Sequence, residues 1–323
     1  MSIISKDIAK AVQLLNDEHI VAIPTETVYG LAGNIYSPKA ITAIFETKKR
    51  PFFNPLIVHI PAIEQLATIV AHIPPKAKLL AKAFWPGPIT LVLEKQDHIP
   101  DLITGGKPTV AVRIPNHPVT LSLLNALDFP LAAPSANPFS SISPTTAQHV
   151  ENYFKDQIPM VLEGGPCRSG IESTIIGFEN DEPIIYRLGS TALEDIEAVV
   201  GKVTVKNTVK QKTEEAPTAP GMLDRHYAPK TTTLLSDNLL ESLDQHANKR
   251  VGLLVFKTHI AHSAVKTQVV LSENGDLNEA TAHLYEALHQ LDQENLDLII
   301  AEEFPDYGLG KSINDRLTRA TKS

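Results

Sequence analysis

Through its first two hundred residues this chain alternates short apolar runs with stretches of helical spacing, and that alternation allows few outcomes beyond a sheet covered by helices. Strand candidates are Ile20 to Pro24, Leu56 to Ile60, Ile89 to Leu93, Val110 to Ile114, Leu131 to Ala133, Met160 to Leu162, Ser173 to Gly177 and Ile184 to Arg187, with Lys202 to Lys206 as a closing strand. Between them lie helical segments such as Pro118 to Leu127 and Thr145 to Phe154. Ser5 reads as an N-cap ahead of Ile8, Val12 and Leu15. Ser37-Pro38 reads as the N-cap and first position of a helix that buries Ile41, Ile44 and Phe45 and stops at Pro51. Thr191 with Glu194 has the spacing of a capping box. The expected class is α/β, a twisted open mixed sheet flanked by helices.

The periodicity fails from Asn207 to Pro229, where prolines, a glycine and charges crowd together, and this stretch reads as a linker. Its end, Pro220-Gly-Met-Leu-Asp-Arg-His-Tyr-Ala-Pro229, is too rich in donors to be a passive spacer and suggests an active-site flap. Alternation then resumes with strands Thr232 to Leu235, Val251 to Phe256, Gln268 to Leu271 and Leu296 to Ala301. Helices follow at Asn238 to Ala247, at Leu277 to Gln293 with its Leu284, Leu288, Leu291 stripe, and from Gly310. The division expected is 1–206, 207–229 and 230–323, the last a smaller Rossmann-like three-layer domain. A length of 323 residues fits two cores better than one.

At 43% hydrophobic and 20% charged the chain has the composition of a folded water-soluble protein. No apolar run approaches the roughly 20 residues of a membrane span, and residues 1 to 17 lack a leader's apolar core, so a cytoplasmic location is expected. The single cysteine, Cys167, excludes an internal disulfide and a multi-cysteine metal site. A net charge of −8 argues against a broad electrostatic grip on nucleic acid, so any contact with RNA is expected to be indirect.

Chemistry-bearing residues gather in three places. The first is Thr25, Thr27, Lys48, Arg50, Asn54 and His59, around one strand-turn-helix unit. Cations at a helix C-terminus also complement the helix dipole; hydroxyls and an amide nearby favour a ligand site at the strand ends. The second runs from Ala133 through Ser135 and Asn137 to Ser143, leaving a strand and ending near a helix N-terminus, where anions bind. The third is Gly164-Gly-Pro-Cys-Arg-Ser-Gly-Ile-Glu-Ser-Thr174, in which Cys167 reads as a small turn residue rather than a nucleophile. Arg113 stands on an otherwise apolar strand, where its guanidinium needs a carboxylate, from a ligand or from the protein itself. Gly310-Lys311-Ser312 opens a helix after a strand, but Pro305 occupies the position of the first P-loop glycine. None of the twelve histidines has the spacing of a zinc site, so no protein-held metal is expected.

In order along the chain stand Pro24-Thr-Glu-Thr-Val-Tyr-Gly-Leu, Lys48-x-Arg50 with Asn54-Pro-Leu, Trp85-Pro-Gly-Pro-Ile-Thr, Val112-Arg-Ile-Pro, Ser135-Ala-Asn137, Ser143-Pro-Thr, Gly164-Gly-Pro-Cys with Glu172-Ser-Thr, and Pro220-Gly-Met to His226-Tyr-Ala-Pro. This set closely resembles the threonylcarbamoyl-AMP synthases of the Sua5/YrdC/YciO family, in the longer Sua5 form. Gly308-Leu-Gly with Ile313-Asn-Asp-Arg316 looks like the signature of the Sua5 C-terminal domain and extends the resemblance to nearly the whole chain. Glu163 in place of the family's usual Asp, and Ser140 where a glycine is common, are departures that touch loop geometry.

The resemblance implies a YrdC-like catalytic domain that makes threonylcarbamoyl-AMP and pyrophosphate from L-threonine, bicarbonate and ATP, for N6-threonylcarbamoyladenosine at position 37 of tRNA. Magnesium would travel with ATP, and a threonylcarbamoyl transferase complex would be the downstream partner. By matched position, Thr27, His59, Arg113, Ala133 (through its backbone) and Ser173 would contact threonine. Arg50, Asn54, Thr109, Ser135, Ser143, Arg187 and Tyr227 would contact ATP. Lys48, Arg50, Ser135 and Asn137 would form the catalytic tetrad. A hydrogenase-maturation carbamoyl transferase is the rival within the fold, disfavoured by the lack of acylphosphatase-like and zinc-finger segments.

Overall fold

The structure is a computed structural model that describes residues 3–206 and 227–322. Eleven strands form one mixed sheet, in the spatial order Ile4–Ser5, Val161–Leu162, Val21–Ile23, Gly30–Asn34, Leu131–Ala132, Ile57–His59, Thr109–Arg113, Ile89–Glu94, Thr174–Glu179, Glu182–Arg187 and Thr204–Val205. Each of the expected strand runs coincides with one of these. Ile4–Ser5 and Gly30–Asn34 were not among them, and the latter reads poorly because two of its five residues are glycine. Both faces of the sheet are covered: Leu31, Ile44, Phe45, Val58, Leu91 and Val112 join the larger core, while Leu15, Ile23, Leu123 and Leu131 close the opposite side.

Two helix starts differ from expectation. The first helix, Ile8–Asn16, is capped by Asp7, whose carboxylate accepts from the amide of Lys10 at 2.9 Å, while Ser5 belongs to the edge strand. The helix Leu193–Val200 begins after Ala192 with no side-chain cap, because Thr191 is tied by its backbone to Thr174. The helix Pro38–Lys48 conforms: Ser37 Oγ accepts from the amide of Ala40 at 3.1 Å, and Lys49 ends it in the left-handed region at φ 53°.

The C-terminal domain is a four-stranded parallel sheet in the order Thr233–Ser236, Leu298–Glu302, Val251–Val255, Val265–Val270. Leu277–Gln293 and Gly310–Ala320 cover one face and Leu239–Gln245 the other, so the three-layer reading holds. Leu284, Leu288 and Leu291 are buried as a stripe of that spacing requires. They share a core with Val28, Ile142 and Ile171 of the N-terminal domain, so apolar burial fixes the two units against each other. The near-miss Gly310-Lys311-Ser312 serves this docking: Ser312 donates to the carbonyl of Gly189 at 2.8 Å and Lys311 pairs with Glu194 at 3.1 Å. No described helix is long and apolar enough to cross a membrane.

Candidate active site

A cleft at one end of the large sheet is lined by Thr25, Thr27, His59, Arg113, Ala133 and Ser173 on one side and by Arg50, Ser135, Arg187, Tyr227 and Glu172 on the other. Strand pairing builds the first group. The parallel register of Ile57–His59 with Thr109–Arg113 sets His59 beside Arg113 at the ends of their strands, as open α/β sheets present ligand groups. The strand Val21–Ile23 runs into a tight turn in which Thr25 Oγ1 accepts the amides of Thr27 at 3.1 Å and Val28 at 3.2 Å. That turn presents Thr27, whose hydroxyl accepts from Arg113 Nη1 at 3.0 Å. Gly30 faces Ala133 so closely that an added Cβ would lie 3.1 Å from the alanine methyl, which keeps the cleft floor narrow.

Arg113 also donates through Nε to Gly87 at 3.2 Å, and its Nη2 lies 2.6 Å from Glu26. The last contact is a close ion pair rather than an aligned hydrogen bond, since neither Glu26 oxygen meets a donor at a good angle. Both side chains are buried, so the carboxylate that Arg113 requires is at least partly supplied from within the chain. Glu26 lies in the Pro-Thr-Glu-Thr run but sequence reasoning gave it no role. His59 is driven down to about 3 by burial and by the Arg113 charge, so its imidazole is neutral at ordinary pH. Its Nδ1 lies 3.2 Å from the carbonyl of Ile57; as the donor there it leaves Nε2 as an acceptor.

On the other side, Lys49's left-handed conformation turns the chain so that Arg50 folds back onto Asn54. Arg50 Nη2 donates to Asn54 Oδ1 at 2.7 Å and to the carbonyl of Pro55 at 2.9 Å. Burial, and then the neighbouring Arg187 guanidinium, bring Arg50 down to about 9. Arg187 is anchored by the carbonyl of Ser173 at 2.8 Å. Ser173 in turn shares a hydrogen bond with Thr90 at 2.7 Å, which fixes its hydroxyl at the junction of the two sides. Two guanidiniums held close together in a buried cleft are a strong lure for a polyanion.

Several expected residues stand elsewhere. Lys48 does not line the cleft; its ammonium is buried and donates to the carbonyls of Ser135 at 2.6 Å and Asn137 at 2.5 Å. Burial, with the Arg50 charge, holds it well below the ordinary lysine value. Asn137 donates through Nδ2 to the carbonyls of Pro138 and Ser141, each at 2.9 Å, and so folds its own loop. Asn54 sits behind Arg50. Ser143 donates to Glu172 at 2.6 Å. Thr109 begins the strand that Arg113 ends, about 13 Å away at the rise of a strand, and the fold does not bring it to the cleft. Asn54 Nδ2 and Asn137 Oδ1 are among the buried side-chain atoms of the described residues that lack a hydrogen-bond partner. Cys167 is buried and its thiol is pushed up by burial, as befits a turn residue.

The linker residues 207–226 lie outside the described residues; Tyr227 lies within them and is fully buried against the cleft. Arg316 stacks over its ring at 4.7 Å, and the ring of Tyr285 lies 5.9 Å away. Glu172, quoted in the sequence only as part of a motif, accepts from Ser143, from Tyr285 at 2.9 Å and from Arg316 Nε at 2.9 Å. Burial works to raise its carboxyl, but Arg316, Arg187 and Ser143 together hold it below the ordinary carboxylate value.

A family model described as telomere recombination, Sua5/YciO/YrdC, matches residues 13–189, and one described as the C-terminal domain of threonylcarbamoyl-AMP synthase matches residues 191–321. The threonylcarbamoyl-AMP synthase of Bacillus subtilis is 39% identical over 320 residues, covering 97% of this chain and 92% of the relative. That of Pyrococcus abyssi is 38% identical over 321 residues, covering 96% and 93%. The crystal structure of Pyrococcus abyssi Sua5 complexed with L-threonine superposes with a TM-score of 0.90 at 38% identity, covering 97% of this chain and 94% of that one.

Proposed function

Because the chain belongs to the Sua5/YrdC/YciO family of threonylcarbamoyl-AMP synthases, we propose that its cleft makes threonylcarbamoyl-AMP from L-threonine, bicarbonate and ATP. The observation that carries the reading is the pairing of Arg50 and Arg187 in one buried cleft opposite Thr27, His59 and Arg113. One side suits a triphosphate and the other a small amino acid with a carboxylate and a hydroxyl.

In this reading threonine's amine adds to bicarbonate, releasing water, to give a carbamate. A carbamate oxygen then forms a bond to the α-phosphorus while the bond to the pyrophosphate oxygen breaks. Such a transfer needs positioning and charge more than a protein nucleophile. Arg113 takes the threonine carboxylate alongside Glu26, and the neutral His59 accepts a hydrogen bond through Nε2. Thr27, Ser173 and the backbone of Ala133 fix the remaining groups. Arg50 and Arg187 meet the phosphates, with Ser135 and Tyr227 framing the nucleotide; Asn54 supports Arg50, Ser143 supports Glu172, and Thr109 stands at the far end of its strand. Lys48 and Asn137 act on the Ser135 loop rather than on the reacting atoms.

Glu172 is the one acidic side chain lining the cleft among the described residues, and both its oxygens are engaged by Ser143, Tyr285 and Arg316. No group of three or more His, Cys, Asp or Glu residues suited to a metal occurs among the described residues. Magnesium travels with the triphosphate in this reading, where it offsets phosphate charge. The division into a catalytic domain at 1–206, a flap at 207–229 and a C-terminal domain at 230–323, a cytoplasmic setting, service to tRNA modification, and transfer of the product to a threonylcarbamoyl transferase complex complete the proposal. The test is pyrophosphate release from ATP with each co-substrate omitted in turn: release should need both threonine and bicarbonate, and release indifferent to either would refute the assignment.

A further inference from the structure

A carboxylate in a cleft meant for a polyphosphate is an electrostatic liability, and Glu172 is such a group. Its side chain is 8% exposed, so water screens it little. The counter-charge that touches it comes from the C-terminal domain: Arg316, with a fully buried side chain, donates from Nε at 2.9 Å. Arg316 spends its other donors nearby. Nη2 reaches the carbonyl of Leu188 at 2.8 Å, beside Arg187, and Nη1 reaches Asp315 at 2.6 Å. Its guanidinium plane also lies over Tyr227. Tyr285, on the helix Leu277–Gln293, adds a second bond to the same carboxylate.

We propose that Arg316 is a positioning residue through which the C-terminal domain neutralises Glu172 and so makes the cleft able to accept a nucleotide triphosphate. The C-terminal domain is thereby part of the nucleotide site without touching the nucleotide. Arg316 cancels the charge of Glu172, keeps that carboxylate turned to Ser143 and Tyr285, and holds the ring of Tyr227 in place. The inference rests on the nucleotide reading of the cleft given above.

The test is a double-mutant cycle in the full chain, reading affinity for a non-hydrolysable ATP analogue and for threonine by calorimetry. Arg316→Met should weaken analogue binding by about tenfold or more, because it leaves a buried carboxylate facing the phosphates. In a Glu172→Gln background the same substitution should cost less than about threefold, since no charge remains to be cancelled. Threonine affinity should change by less than about threefold in every folded variant, which a general loosening of the site would not allow. Equal losses in the two backgrounds, or wild-type affinity in R316M, would overturn the proposal. Should R316M fold poorly, E172Q/R316M strands no charge and still decides: affinity matching E172Q supports the charge role, and a further tenfold loss overturns it. If the wild-type chain itself fails to bind the analogue, the nucleotide reading falls; if it binds and the cycle shows no coupling, this inference falls alone.

Discussion

Replacing Lys48 by methionine tests whether this residue builds the site or acts within it. The ammonium is buried and satisfies two carbonyls, those of Ser135 at 2.6 Å and Asn137 at 2.5 Å, while the carbonyl of Lys48 accepts from the amide of Phe139 at 2.8 Å. Hydrogen bonds to a charged group contribute about 1.5–3 kcal/mol each. Methionine would leave two carbonyls without their donor, but it would also remove a cation that burial disfavours and that Arg50 repels. The second effect offsets part of the first, so the net cost expected is about 3 kcal/mol of stability. For a domain of this size that lowers Tm by about 6–12 °C. Nucleotide affinity should fall with it, because Ser135 loses its anchor, whereas threonine affinity should change little. Thermal unfolding paired with calorimetric titration of both ligands reads all of this. A Tm within about 2 °C of wild type together with a large loss of turnover would refute the structural role and return Lys48 to the reacting phosphate.

Other expectations follow from the same contacts. Arg113→Lys keeps the charge but loses the fork that spans Glu26, Thr27 and Gly87, so threonine affinity should fall by about tenfold or more while nucleotide affinity holds, measured by calorimetry. His59, held to about 3, and His149 and His289, each held to about 4, are neutral in the fold but take protons in the unfolded chain below pH 6.5. Their contribution to stability is therefore complete above pH 6.5 and is lost as pH falls towards 4 and 3, by up to about 1.4 kcal/mol per pH unit for each. Denaturant midpoints at pH 7.5 and pH 5 would show it, and unchanged midpoints would contradict it. Gly189→Ala would drive a methyl to within 2.4 Å of the Ser173 carbonyl carbon; a destabilisation of about 1–3 kcal/mol with weakened threonine binding is expected in thermal and titration assays.

The sheet was legible because its strands are continuous apolar runs, and the helix Leu277–Gln293 because its leucines recur at one face. Gly30–Asn34 was not, since glycines erase the pattern that marks a strand. Within the site, the threonine-side residues proposed from matched motifs all line the cleft, because strand ends carry them there directly. Lys48 and Ser143 show the limit. A cation and a hydroxyl look alike in sequence whether they meet a ligand or a backbone carbonyl, and only the fold reveals that Lys48 faces two carbonyls and Ser143 faces Glu172. Glu172, Tyr285 and Arg316 were missed as site residues because the bonds that join them span 113 to 144 positions across the domain junction, and Glu26 because its partner Arg113 lies on another strand, beyond the reach of spacing. A Glu-Ser-Thr run at a strand entry and the arginine that ends the Ile313-Asn-Asp-Arg316 block were the available signals.

One cleft joins threonine and bicarbonate to the adenylate of ATP. The most direct measurement incubates the purified chain with isotopically labelled bicarbonate, labelled threonine and ATP, and separates the nucleotide products. One new adenylate carrying both labels in equal amount is expected, formed together with an equal amount of pyrophosphate. An adenylate that carries threonine but no bicarbonate carbon, or pyrophosphate without any labelled adenylate, would contradict it.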